Sequence, residues 1–305
     1  RRELLKFALG GGTLFAAGGL VTSSSITSNP VVNRIDIGIR DLPTPFEDYK
    51  IAFLTDIHMG SYLSDEFLLD VIDTINKEQV NLLLLGGDYI WVEHSMLAKS
   101  LKQFSHNKFS ELDSVGIIDE VFKTCSNVLS TANCADGVYA VLGNHDRWEN
   151  STSCINQLAR NNILTLINQS HTIRRHQFTL SIIGVDDLWT GIPRIDSFSN
   201  NYDTDTVRIL LSHNPDFISG LLSRNPEFEF DLALCGHTHA GQIKLPLIGT
   251  VLHNVLDHRF VEGLVKISDS ASNSQKQVYT SRGLGMVEIP VRINCPPEIS
   301  FITLK

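Results

Sequence analysis

The chain has 305 residues, of which 42% are hydrophobic and 19% charged, an ordinary globular composition long enough for one large core or two smaller ones. A formal charge of −9 and a pI near 5.6 exclude a general nucleic-acid-binding surface, because neutralising phosphates takes clustered Lys and Arg, and no basic run follows residue 6. The five cysteines have no C-x-x-C spacing, so no structural zinc site is expected, although one disulfide among Cys125, Cys134 and Cys154 would suit an exported chain.

Residues 1–28 read as an address label and not as part of the fold. Arg1-Arg2-Glu3-Leu4-Leu5-Lys6 precedes a weakly hydrophobic, Gly-rich run from Phe7 to Val21 and then Thr22-Ser23-Ser24-Ser25. This resembles a twin-arginine export signal, which would place the protein in the periplasm or on the outer face of the cytoplasmic membrane. The apolar run, about 15 residues, is shorter than the roughly 20 that span a bilayer. No Ala-x-Ala site follows, so a cleaved signal and a retained membrane anchor both stay open.

From residue 30 to 305 the pattern predicts one α/β domain. Residues 33–40 alternate polar and apolar as a half-exposed edge strand does, and Pro43 and Pro45 then break the chain. The apolar run Ile51-Ala52-Phe53-Leu54 leads into Thr55-Asp56-Ile57-His58. A helix follows over 64–79, with Ser64 as N-cap and Phe67, Leu68, Val71, Ile72 and Ile75 on one face. Asn81 to Leu85 runs into Gly86-Gly87-Asp88. Residues 91–116, with Trp91, His94 and His106, carry no strong period and look like an insertion over the preceding turn, where specificity is often set. A second helix is predicted over 117–129.

Val138 to Leu142 then delivers Gly143-Asn144-His145-Asp146-Arg147, and a short helix is expected over 151–160. Strands at 164–173 and 178–185 are joined by the basic turn Arg174-Arg175-His176, which reads as a solvated hairpin. Asp186-Asp187 could suggest a metal site, but adjacent strand residues face opposite ways, so loop roles are expected. Residues 190–206 form a second polar loop. Val207 to Leu211 leads to Ser212-His213-Asn214, and Leu232 to Cys235 leads to Gly236-His237-Thr238-His239. In extended backbone, residues 237 and 239 would point the same way.

Five hydrophobic strands thus each end in Asp, His or Asn. One such ending is usually a cap or a turn, but five together point to a shared polynuclear metal site. Imidazole and carboxylate donors in mixture suit Mn, Fe or Zn.

At these residues the chain resembles the calcineurin-like metallophosphoesterases, through Asp56-x-His58, Gly87-Asp88, Gly143 to Asp146, His213, and Gly236-His-Thr-His239. The segments 259–264, 279–285 and 292–299 resemble the tail of exported bacterial members, the YkuE-like group, with Ala240 where many relatives carry Gly. The resemblance implies a four-layer αββα sandwich of two mixed sheets flanked by helices. It also implies two divalent or trivalent transition metals: Asp56, His58 and His239 on the first, Asn144, His213 and His237 on the second, and Asp88 shared. A metal-activated hydroxide would attack phosphorus in line. By the same resemblance His145 stands over the phosphate, and Asp146 accepts a hydrogen bond from it. The expected activity is hydrolysis of a phosphoric ester, a phosphodiester ahead of a phosphomonoester, with a lipid-linked or cell-wall compound as the expected substrate. The alternatives are a pyrophosphatase acting on a nucleotide-linked lipid sugar and a scaffold of the same fold without activity.

Overall fold

A computed structural model describes residues 23–24, 30–92, 114–196, 198, 205–250, 254–268 and 275–305. Twelve longer strands make two six-stranded sheets. In chain order they are β1 (Val31–Ile37), β2 (Lys50–Leu54), β3 (Leu82–Leu85), β4 (Val138–Ala140), β5 (Ile163–Thr165), β6 (Gln169–Arg175), β7 (Phe178–Gly184), β8 (Thr206–Leu211), β9 (Leu232–Cys235), β10 (Gly263–Ser268), β11 (Gln275–Thr280) and β12 (Glu298–Leu304).

Sheet I has the order β1-β12-β2-β3-β4-β5 and sheet II the order β10-β11-β9-β8-β7-β6. Both are mixed. In sheet I only the β12–β2 pair is antiparallel; in sheet II the two outer pairs, β10–β11 and β7–β6, are. Parallel register keeps the carboxyl ends of β2, β3 and β4 level, with Leu54 opposite Leu85 and Leu85 opposite Ala140. Leu211 opposite Leu234 does the same for β8 and β9.

The two faces of each strand explain the layers. Ile51, Phe53, Leu82, Leu84, Tyr139 and Val141 of sheet I pack against Leu180, Ile182, Ile209, Leu211 and Leu234 of sheet II. The opposite face of sheet I, with Ala52, Leu54, Leu83, Leu85 and Ala140, is covered by helices α1 (Asp65–Glu78), α2 (Ser114–Leu129) and α3 (Asn144–Arg160). Helix α4 (Pro215–Arg224) covers the outer face of sheet II together with Phe228, Phe230 and Phe260. The result is the four-layer αββα sandwich. Buried on both sides, strands such as β3 read as unbroken apolar runs.

Local chemistry sets the elements. Ser64 Oγ caps α1 by accepting from the Phe67 N–H at 3.3 Å, and the helix ends where Gln79 turns left-handed at φ 55°. The structure departs from the sequence pattern in two places. The apolar stretch 164–173 is two strands, one in each sheet, because the chain crosses between the layers at Leu166–Asn168. Asn168 is left-handed at φ 53°, and its Oδ1 accepts from the N–H groups of Asp186 and Arg194. Helix α3 starts at Asn144, inside the motif, and not at 151. Asn150, extended at φ −171°, breaks it and recaps the second part through Ser153 N–H.

The basic turn is the expected hairpin, with His176 exposed at its tip and Arg175 paired to Asp136 at 2.6 Å. All five cysteines are free thiols, so the suggested disulfide is not formed. Among the described residues no helix is long and apolar enough to cross a membrane. The N-terminal signal, apart from Ser23–Ser24, lies outside the described residues, as do most of the insertion at 91–116, with His94 and His106, and part of the 190–206 loop.

Candidate metal centre

The strand ends of both sheets meet at one buried point. Asp56 and His58 follow β2, Asp88 follows β3, Asn144 and His145 follow β4, His213 follows β8, and His237 and His239 follow β9. All except His145 are nearly inaccessible to solvent. Asp56, His58, Asp88, His237 and His239 have positive φ, between 47° and 69°. Left-handed backbone costs a non-glycine residue about 1–3 kcal/mol and persists only where the surroundings enforce it. Here it curls each chain end back so that the side chain faces the centre.

Two groups of donors result. Asp56, His58 and His239 form one and Asp56, Asp88 and His213 the other. His58 Nε2 lies 3.1 Å from His239 Nε2, and Asp56 Oδ1 is 3.4 Å from His239 Nε2. Asp88 Oδ2 lies 3.6 Å from His58 Nε2 and 3.2 Å from His213 Nε2, placing one oxygen between the groups. His237 Nδ1 joins the second group, 3.3 Å from His213 Nε2. Asn144 Oδ1 is buried and, among the described residues, has no hydrogen-bond partner. The ring of His145 stands 4.9 Å from that of His58, at a right angle to it.

Hydrogen bonds orient these groups. His213 Nδ1–H donates to the Gly86 carbonyl at 2.8 Å, which turns its Nε2 towards the centre. The His237 N–H donates to both Asp56 oxygens, at 3.0 and 2.9 Å, and the Thr55 hydroxyl donates to Asp56 Oδ2 at 2.8 Å. The His145 N–H donates to Asp88 Oδ1 at 2.8 Å. Gly143 is required here, since a Cβ at that position would collide with the Asp88 carboxylate.

Burial pushes the Asp56 carboxyl up to about 6 and holds His58 and His237 down at about 3. Burial also opposes charge on Asp88, yet the neighbouring His213, His145 and His58 hold it well below the usual carboxylate range. His213 has the converse balance: burial lowers it, but Asp88, Asp56 and Asp187 outweigh burial and raise it to about 10. His58 and His239, both held uncharged by burial, bring their Nε2 atoms to 3.1 Å beside the Asp56 carboxylate, a crowding of donor atoms that a cation between them would relieve. The orphaned Asn144 oxygen and the mixed nitrogen and oxygen donors therefore fit transition-metal ions.

Two expectations are corrected. Residues 237–239 are not extended: His237 and His239 are left-handed and Thr238 is helical, so both rings reach the centre through a tight turn. Asp146 does not bond His145, because neighbouring residues of a helix do not face each other. Its carboxylate accepts instead from the N–H groups of Asp88 (2.8 Å), Tyr89 (2.9 Å) and Gly143 (2.8 Å), tying the β3 and β4 turns together.

Sequence reasoning missed two features. Arg292, wholly buried, places Nη2 3.3 Å from His239 Nδ1 and donates to the Gly285 carbonyl. Trp91 and Trp148 pack their rings on His145 at 4.7 and 4.8 Å, and Trp189 packs on His237 at 4.2 Å. The helical spacing of three between His145 and Trp148 was the available signal for one of these contacts. Asp186 and Asp187 take loop roles, as expected.

Two packed sheets whose facing ends present carboxylates and imidazoles define a metal-dependent hydrolase. The chain belongs to the calcineurin-like phosphoesterase family, whose sequence profile matches residues 49–241. It is 31% identical over 269 residues to phosphodiesterase YaeI of Escherichia coli K12, covering 87% of this chain and 84% of that one. It is 27% identical over 312 residues to the uncharacterized metallophosphoesterase YkuE of Bacillus subtilis 168, covering 100% and 97%. Among solved structures, a dimetal phosphatase from Danio rerio superposes with a TM-score of 0.43 at 12% identity, covering 78% of this chain and 88% of that one. The protein is accordingly a metallophosphoesterase, a hydrolase of phosphoric esters.

Proposed function

We propose that the chain is a phosphodiesterase working with two transition-metal ions, drawn from Mn, Fe and Zn. Asp56, His58, Asp88 and His239 would hold one ion, and Asp88, Asn144, His213 and His237 the other. The observation that carries this reading is the position of Asp88 Oδ2, within 3.6 Å of His58 Nε2 on one side and 3.2 Å of His213 Nε2 on the other. When bound, such ions neutralise charge on phosphoryl oxygens and lower the pKa of water from about 15.7 towards about 7.

The chain's own residues do the rest. His145, held by its backbone to Asp88 and boxed by indoles, is the one site imidazole that is not fully buried, and it is placed to protonate a leaving alkoxide. Asp146 acts only through the backbone, as a positioning residue. Arg147, the basic residue of the motif, is paired with Asp186. The printed name of the relative YaeI supports a diester over a monoester.

The reading is tested by comparing bis(p-nitrophenyl) phosphate with p-nitrophenyl phosphate on Mn-loaded protein. Diester turnover should exceed monoester turnover. The variant His145→Ala should keep its metal and lose about 10²–10⁴-fold in rate. Equal rates in the metal-replete variant would refute the role of His145, and faster monoester turnover would refute the diester preference.

We further propose, from Arg1-Arg2 and the apolar run behind it, export of the folded chain by twin-arginine machinery to the periplasm or the outer membrane face. There the substrate would be a lipid-linked or cell-wall phosphodiester or an extracellular nucleotide. Cell fractionation that finds the protein only in the cytoplasm would sink this part.

A further inference from the structure

The chain has three tryptophans, and all three stand on histidines of the metal centre. Trp91 is half-buried between His58 and His145. Trp148 and Trp189 differ from it: their relative exposures are 58% and 49%, although each touches a site imidazole edge to face. Single exposed apolar residues need no explanation. Two half-open indoles over one buried centre, reached from different sheets, do need one.

Both are held in place by groups that the chemistry of the centre does not use. Arg147, beside Trp148, is paired with Asp186, three residues before Trp189, so one ion pair joins the two tryptophan-bearing segments. Asp187 Oδ2 accepts from the N–H groups of Trp189 (2.9 Å) and Thr190 (2.7 Å) and from the Thr190 hydroxyl (2.7 Å). Asp186 Oδ2 accepts from the Ile192 N–H at 2.9 Å, and the loop wraps that carboxylate so tightly that only glycine fits at 191. The adjacent aspartates that mimic a metal motif in the sequence thus build the frame of a rigid aromatic loop. Rigid indoles bind flat groups well because little freedom is lost when they do.

We propose that Trp148 and Trp189 form an aromatic gate that selects esters whose organic group is a planar ring, aryl or nucleobase, close to the phosphorus. This rests on the phosphodiesterase reading of the same centre and, among the substrates proposed for it, favours a nucleotide or aryl ester over a lipid-linked or cell-wall one. Stacking tolerates any flat π-face, so the gate reads planarity and not a hydrogen-bonding pattern. An alkyl or acyl chain has no such face.

The test uses phenyl p-nitrophenyl phosphate and ethyl p-nitrophenyl phosphate on the full, Mn-loaded chain. The two share a leaving group and a charge and differ only in the retained ester. The native protein should prefer the phenyl ester about ten-fold in kcat/KM, through KM. In the double variant Trp148→Leu, Trp189→Leu, which keeps apolar bulk at both positions, the preference should fall to about one, whatever change in rate the two esters share. Thymidine 5′-(p-nitrophenyl phosphate) separates the two sources of a ring: if it outruns the phenyl ester the gate takes a nucleobase, and if it only matches the gate takes any aryl group.

A native preference for the ethyl ester, an unchanged ratio in the variant, or an equal loss on both esters would overturn the gate. If no ester is turned over, the phosphodiesterase reading fails and the gate is judged by binding. With all three tryptophans at the site, their emission should shift on adding phenylphosphonate and not ethylphosphonate. Identical responses to the two would overturn the gate independently of activity.

Discussion

Sheet I sends Asp56, His58, Asp88 and Asn144 to the centre, with Asp146 beneath them, while sheet II sends His213, His237 and His239. The carboxylates therefore all come from one half of the sandwich, and the other half supplies imidazoles alone. The turns are also held differently. Those of sheet I are knitted to each other by Asp146 and by the Asp88–His145 contact. Those of sheet II lean across the interface, His213 on the Gly86 carbonyl and the His237 N–H on Asp56. The acidic half is internally braced, and the imidazole half takes its geometry from the acidic half.

The largest effect should follow from removing the carboxylate oxygen that lies between His58 and His213. Asp88→Asn is expected to lower turnover by about 10³-fold or more, since charge stabilisation is lost at both ions at once. Metal analysis of the purified variant should find neither ion stably bound. His239→Ala, on the other half, touches only one donor group and should retain one ion per chain. Equal metal content in the two variants would remove the asymmetry between the sheets.

The difference between the halves also marks what could be read from the sequence. Apolar runs ending in ligand residues were legible because strands buried on both faces leave no alternation to confuse their ends, as in Leu82 to Leu85. Helix α1 was legible from Ser64 and the apolar spacing behind it. The turn at 237–239 was not, because strand periodicity says nothing of a left-handed φ at His237 and His239. Asp146 was misread for a related reason: two of its three partners are backbone N–H groups of a turn 57 and 58 residues away in sequence, and no side-chain pattern records those. The crossing at Asn168 was hidden in the same way, by a single left-handed residue inside an apolar stretch.

A smaller effect, on stability and not on chemistry, should follow at Asp146. Its two oxygens take three N–H groups, and Asn offers one oxygen and one NH2, so Asp146→Asn leaves at least one buried N–H facing another donor. That should cost about 2 kcal/mol. Urea unfolding of chelator-treated protein measures it as a lower midpoint with an unchanged slope. A loss that appears only when metals are present would show that the brace of sheet I depends on the ions and not on these hydrogen bonds.

The smallest effect compares one alanine from each sheet. Ala140 lies in regular strand β4 and Ala240 in the ligand turn after β9, at φ 49°; both are fully buried. Replacement by Gly loses a methyl at either site, about 0.8 kcal/mol, and adds about 0.4–1 kcal/mol through the freer unfolded chain. Only at Ala240 is left-handed strain of about 1 kcal/mol relieved in return. Ala140→Gly should therefore cost about 1.5 kcal/mol, whereas Ala240→Gly should cost about 0.5 kcal/mol and move Tm by only a degree or two. Thermal unfolding of the two variants side by side measures the difference. Equal losses would mean that the turn carrying His237 and His239 holds no strain of its own, and that sheet II is as relaxed at its ligand end as sheet I is in its interior.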